Sequence, residues 1–170
     1  IGVIDRLGAE DRITLVSFAD DVIVHADAVT ADENGKRQAL HALDRLVTRG
    51  CTDLCAGWLA GCRSVAGAMD LLPFDNPEAG PTQNRVIVLS DGHANRGVVH
   101  PRELGRHASE LRRRGLYSST VGIGDGYSPV QLDAIAEHGG GRAHDAPLGE
   151  DIVAVVLGEL GEIFETAAED

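Results

Sequence analysis

Two residues of this chain place hard-oxygen chemistry where a fold can use it. Asp91 closes the run Arg85-Val86-Ile87-Val88-Leu89-Ser90-Asp91-Gly92, and Thr52 stands at the head of a segment with an apolar stripe. Branched apolar residues in succession, bounded by an arginine and by Ser-Asp-Gly, predict a strand buried on both faces, as in a parallel sheet covered by helices. Ligands of open parallel sheets gather beyond the carboxyl ends of strands, so the Asp91 carboxylate stands where such folds keep a site. A hydroxyl and a carboxylate converging on one rim suit Mg2+, which stays partly hydrated and takes one or two carboxylates from the protein. Both residues also have plain structural readings, Thr52 as a helix N-cap and Asp91-Gly92 as a turn.

The other reactive residue types point less far. Cys51, Cys55 and Cys62 are odd in number, which argues against a closed disulfide framework and leans toward a reducing, cytoplasmic compartment. No second cluster completes a zinc site with them, so buried thiols are expected. His93, His100 and His107 never form HExxH and read as surface or capping residues, and neither GxSxG nor a Walker motif occurs. Gly122-Ile123-Gly124-Asp125-Gly126 runs GxGxG, not the dinucleotide GxGxxG. An enzyme using the Asp91 rim for metal-assisted phosphoryl or acyl chemistry would need a general base nearby, and Asp125 is the candidate. These motifs point away from an enzyme.

The elements that must position these residues follow from periodicity. Apolar spacing over 1–7 with Gly8 predicts the last turns of a helix. Residues 12–18 and 22–25 predict a hairpin. Amphipathic helices are predicted over 36–47, broken by Thr48-Arg49-Gly50-Cys51, and over 53–69, where Leu54, Trp58, Cys62, Val65 and Met69 share a core-facing stripe. The proline-containing stretch 72–84 reads as a surface loop. After the central strand, Pro101 opens a helix that Gly115 stops, and 116–121 is another strand. Ser128-Pro129-Val130-Gln131 reads as a capping box for a helix that carries Leu132, Ile135 and Ala136 inward as far as Gly139. A short strand at 142–144 and a last helix over 150–164, burying Ile152, Val153, Val156, Leu160 and Ile163, complete the chain, with 165–170 as a frayed tail. Strands alternating with helices predict one α/β domain over 1–170, a three-layer αβα doubly wound, mostly parallel sheet with one antiparallel edge hairpin.

Composition narrows the partners. The 170 residues carry a formal charge of -12, which argues against nucleic acid and anionic membrane surfaces and favours a cation or a basic partner. The dense basic run Arg112-Arg113-Arg114 ends a predicted helix, where cations complement the macrodipole. No apolar run approaches the ~20 residues that span a bilayer. Ile1 in place of a methionine suggests excision from a longer polypeptide.

The blocks Arg12-Ile13-Thr14-Leu15-Val16-Ser17-Phe18, Gly50-Cys51-Thr52-Asp53-Leu54, Val88-Leu89-Ser90-Asp91-Gly92 with Asn95, and Val121-Gly122-Ile123-Gly124 together resemble the von Willebrand factor A (VWA) domain in its bacterial branch. The resemblance implies a Rossmann-like fold and a metal-ion-dependent adhesion site, MIDAS. That site takes a DxSxS loop after the first strand, one threonine and one aspartate. Thr52 matches the threonine and Asp91 the aspartate. Mg2+ is the implied ion, with Mn2+ or Ca2+ as alternatives, and the implied partner is a protein that offers an acidic side chain to the metal. In bacteria such partners include MoxR-type ATPases and surface adhesion proteins. No DxSxS occurs in this sequence, and 1–8 aligns with the end of the helix that follows that loop. The first central strand and the loop are therefore expected outside this chain, leaving a sheet with an open position that a second copy or a separate polypeptide could fill. A metal-free interaction scaffold is the alternative function.

Overall fold

The computed structural model of the chain describes residues 2–44, 52–70, 83–147 and 149–169. A short helix α1 (Gly2–Asp5) buries Ile4 and precedes β1 (Arg12–Phe18) and β2 (Val22–Thr30), which pair antiparallel with Phe18 opposite Val22. The hairpin thus forms as expected, but β2 continues five residues past His25 because pairing resumes beyond an irregularity between Ile13 and Leu15. Helices α2 (Glu33–Leu43) and α3 (Leu54–Asp70) follow. Then β3 (Asn84–Ser90), α4 (Pro101–Arg113), β4 (Leu116–Ile123), α5 (Pro129–Gly139), β5 (Gly140–Ala146) and α6 (Gly149–Glu169) alternate. The last three strands are parallel, in the order β3-β4-β5.

The expectation is a mostly parallel sheet with an open position where its first central strand would lie, and the ladder forms in two pieces. Among the described residues β1-β2 is one sheet and β3-β4-β5 another. A single helix plates both. A Cβ added to Gly57 of α3 would collide with the Phe18 ring of β1, and one on Gly61 would stand 3.7 Å from Val86 of β3 and 4.0 Å from Val16 of β1. Further along, Trp58 Nε1 donates to Ser118 Oγ of β4 at 3.0 Å. β1 and β3 therefore lie against the same helix.

The strand after Asn84 is accordingly not buried on both faces. Val88 is buried, Val86 and Ile87 are half-buried, and Leu89 is 38 % exposed. β4, with a partner on either side, is buried from Ser118 to Gly122. β4 is the less apolar of the two, with Ser118-Ser119-Thr120 at its centre, yet it is the more buried because it has a strand on either side.

The helices depart from expectation at their ends. Asp32 caps α2, accepting from Asn34 N at 3.0 Å and Gly35 N at 2.8 Å, so this helix begins before Lys36; its predicted extension through Val47 and the break at Thr48 to Cys51 lie outside the described residues. Most of the 72–84 loop lies outside them as well. Gly115 ends α4 with φ 78°, the left-handed conformation that favours glycine. α6 continues to Glu169 instead of fraying after Phe164.

The docking of α6 also differs in kind. The predicted apolar stripe leaves Ile152, Val156 and Leu160 only half-buried and Val153 46 % exposed, while Glu159 is 2 % exposed. Its carboxylate accepts from Arg85 Nη1 of β3 at 2.7 Å and Ser119 Oγ of β4 at 2.6 Å, and stands 2.7 Å from His144 Nε2 of β5. One acidic side chain joins the helix to all three parallel strands.

The core lies between the parallel sheet and α3, α4 and α5, around Trp58, Leu104, Leu116, Leu132 and Ile135. Cys55 and Cys62 are buried within it as free thiols, as expected. Burial pushes both thiols up, Cys62 to about 12. Cys51 lies outside the described residues.

Candidate functional site

The carboxyl ends of β1 and β3 meet at one rim, and the segment that opens α3 ties them together. Asp53 N donates to the carbonyl of Ala19, just past β1, at 3.2 Å. Asn95, in the loop after β3, donates its N–H to the Thr52 carbonyl at 3.2 Å, and its side-chain Oδ1 accepts from Thr52 N at 3.0 Å. Ser90 Oγ donates to the Gly92 carbonyl at 3.0 Å, tightening the exit from β3. This reciprocal bonding holds Thr52 against the segment that carries Asp91.

The cap of α3 is Asp53, not Thr52. The first helical residue is Leu54, and Asp53 Oδ1 accepts from Ala56 N at 3.0 Å, the N3 position that a capping side chain serves. The Thr52 hydroxyl is thereby left for other use. It lies 3.4 Å from where a Cβ on Gly92 would stand, beside the residue that follows Asp91. Thr52 is half-buried and Asp91 is exposed.

The neighbouring loops converge on the same place. A Cβ on Gly126 would stand 2.6 Å from the Asp91 carbonyl oxygen, which brings the turn containing Asp125 against the backbone of Asp91. Tyr127 lies across Gly122, where any Cβ would strike its ring, and its hydroxyl donates to Asp145. That hydrogen bond is the main cause holding the Tyr127 phenol above its ordinary value. Arg96 reaches back to the β1–β2 link, its Nη1 donating to the Asp20 carbonyl at 3.2 Å with the Asp20 carboxylate at 3.7 Å.

A hard divalent ion fits this donor set in part. A hydroxyl and an exposed carboxylate on one rim are oxygen donors of the type Mg2+ takes. Of the nearby carboxylates, Asp53 is engaged as a cap and Asp20 faces Arg96. Among the described residues no group of three or more His, Cys, Asp or Glu is arranged to hold a metal. The chain thus brings two oxygen donors, the Thr52 hydroxyl and the Asp91 carboxylate, to one rim. Of the histidines, His93 is exposed, and His100 caps α4, its Nδ1 accepting from Arg102 N at 3.3 Å.

A family model for the von Willebrand factor type A domain matches residues 1–154. The chain belongs to this family. A curated relative, the protein YfbK of Escherichia coli K12, described as uncharacterized, is 24 % identical over 170 residues, which are 99 % of this chain and 28 % of that protein. The chain therefore spans little more than a quarter of that relative's length. Among solved structures, a von Willebrand factor type A protein from Catenulispora acidiphila superposes with a TM-score of 0.71 at 22 % identity, over 91 % of this chain and 35 % of that one. BatB from Bacteroides thetaiotaomicron gives 0.67 at 14 % identity, over 96 % and 84 %. Proximal thread matrix protein 1 of the mussel byssus, with a zinc-occupied MIDAS motif, gives 0.59 at 23 % identity, over 91 % and 37 %. At these identities the structural likeness establishes the fold, and a VWA domain is able to hold a metal at its MIDAS.

The sequence motifs found Thr52 and Asp91 but missed what holds them. Thr52 and Asp53 are capping types one residue apart, so the local pattern alone does not choose between them. Gln131 fits a capping box with Ser128 by spacing, yet Ser128 stands at the cap without a side-chain bond. The Gln131 side chain instead reaches the loop after β3, and no local pattern announces such a contact.

Proposed function

We propose that this VWA domain is a protein-interaction module that holds a divalent ion, Mg2+ first, through Thr52, Asp91 and a DxSxS loop lying outside this sequence, and binds a protein partner through an acidic side chain that completes the ion's oxygen shell. It is not an enzyme in this reading. A MoxR-type ATPase or a surface protein is the class of partner that would present the carboxylate. The observation that carries the proposal is the Thr52 hydroxyl, relieved of capping by Asp53 and set beside Gly92 next to Asp91. A bound cation also offsets part of an excess of negative charge that reaches -12 over the chain.

The test is calorimetric titration of Mg2+ and Mn2+ into this chain and into the same chain extended upstream by about 40 residues, the reach of one strand and one helix. Binding by the longer polypeptide alone, abolished by Asp91→Ala, is the expected result. Binding by neither would overturn the metal reading and leave a metal-free interaction scaffold. Phosphoester hydrolysis that disappears with Asp91→Ala would overturn the non-enzymatic one.

A further inference from the structure

We infer that Gln131 is the positioning residue of the metal rim, acting from α5 through the loop after β3; the inference rests on the reading of Thr52 and Asp91 as metal ligands. Gln131 is 9 % exposed, and both ends of its carboxamide bond that loop. Oε1 accepts from Ala94 N at 3.0 Å, and Nε2 donates to the Ala94 carbonyl at 3.2 Å and to the Val99 carbonyl at 2.8 Å. Ala94 is thus bonded through both its backbone groups, as it would be to a neighbouring strand.

The next residue turns the other way. Asn95 makes the two bonds to Thr52, one through its N–H and one through its side chain. Ala94 and Asn95 are a two-residue bridge whose inner end is Gln131 and whose outer end is Thr52, and Asp91 enters the same loop three residues earlier. A second contact closes the loop from outside: Gly97, at φ 68°, approaches Asp53 so nearly that a Cβ there would stand 2.7 Å from Oδ1. The separation of the Thr52 hydroxyl and the Asp91 carboxylate is therefore set by the shape of one loop, and Gln131 is the buried side chain that bonds the backbone of that loop at Ala94 and Val99. Loops carry buried polar backbone poorly unless a partner is supplied. Here one amide supplies three bonds at once.

The partners that orient ligands are worth about 10–100-fold in metal affinity. Gln131→Met keeps the length and burial of the side chain but removes all three bonds. In the upstream-extended polypeptide it is expected to weaken Mg2+ binding at least tenfold, whereas Ile135→Val, a comparable core perturbation one turn along α5, is expected to leave affinity within twofold of wild type. In this chain, without metal, Gln131→Met is expected to speed hydrogen exchange at the Thr52, Ala94 and Asn95 amides by at least tenfold relative to Ile135→Val. Faster exchange with no metal binding in the extended wild type would sink the proposed function and keep the positioning role. Faster exchange at Ala94 alone, with Thr52 and Asn95 unchanged, would overturn the positioning role, as would unchanged Mg2+ affinity in an extended Gln131→Met protein whose wild type binds.

Discussion

Replacing Glu159 by alanine is expected to destabilise the domain by about 3 kcal/mol, the low end of the ~3–5 kcal/mol that follows when one partner of a buried ion pair is removed. The side chain of Glu159 is 1 % exposed, while Arg85 and His144 keep 20 % and 25 % of theirs, so water can partly resolvate the abandoned partners, and the low end applies. Ser119 has no such relief, being fully buried, and Arg85 Nε already lacks a partner. Against a total of about 5–15 kcal/mol for a domain, the loss is large enough to read by urea unfolding as a lower midpoint at unchanged slope. Glu159→Gln, which keeps an acceptor for Ser119 without the charge, is expected to lose about half as much, since charge-assisted hydrogen bonds are roughly twice as strong as neutral ones. Exchanging the pair together, Arg85→Met with Glu159→Leu, is expected to recover part of the loss, because no uncompensated Arg85 charge remains while Ser119 and His144 still lack their acceptor.

The same carboxylate gives a pH dependence. Burial by itself raises the Glu159 carboxyl, but the bonds from Ser119, His144 and Arg85 with the Arg85 charge outweigh it and hold it below its ordinary value. A group lowered in the folded state contributes in full above its unfolded value and loses that contribution as the pH falls through the folded one. The penalty of Glu159→Ala should therefore be full at neutral pH and shrink in acid, below the ordinary carboxylate value of 4.5. An alanine variant that loses less than about 1 kcal/mol at neutral pH, the median range of exposed pairs, would refute the reasoning.

Three further outcomes are expected. Asp53→Ala should lower stability by about 1 kcal/mol through loss of the α3 cap, while Thr52→Val should leave helix stability within error and reduce only Mg2+ affinity of the longer polypeptide; urea unfolding and calorimetry separate the two. In Asp145→Asn the Tyr127 phenol should titrate closer to its ordinary value of 10.0 than in the wild type, seen by ultraviolet difference absorption. Cys62, with its thiol raised to about 12 and 1 % exposed, should resist iodoacetamide at neutral pH until the domain unfolds, as peptide mapping by mass spectrometry would show.

Much of the fold was legible because the determining signals are local. The alternation of β-branched runs with 3.6-period stripes, Pro101 and Pro129 in first turns, and the left-handed Gly115 each settle an element from a few neighbouring residues. Thr52 and Asp91 were legible for the same reason, as residue types at the ends of elements. Where one capping type followed another, the position could not be read: only the backbone shows that Asp53, not Thr52, receives the Ala56 N–H.

The rest depended on partners distant in the chain. Val86, Ile87 and Leu89 are more apolar than the Ser118-Ser119-Thr120 centre of the strand that follows, yet they are less buried, because burial is decided by how many strands flank each one. Glu159 reads as a polar position on an amphipathic helix until Arg85, Ser119 and His144, from three separate strands, meet it. Gln131 reads as part of a capping box until the loop after β3 offers it three backbone groups. By itself the sequence determined the element types, the family and the two candidate ligands, because propensity, periodicity and motif spacing act within a few residues. Which polar side chains turn inward, and which strand faces stay open, only the tertiary structure decided, because the cost of burying a polar group depends on partners brought together by the fold.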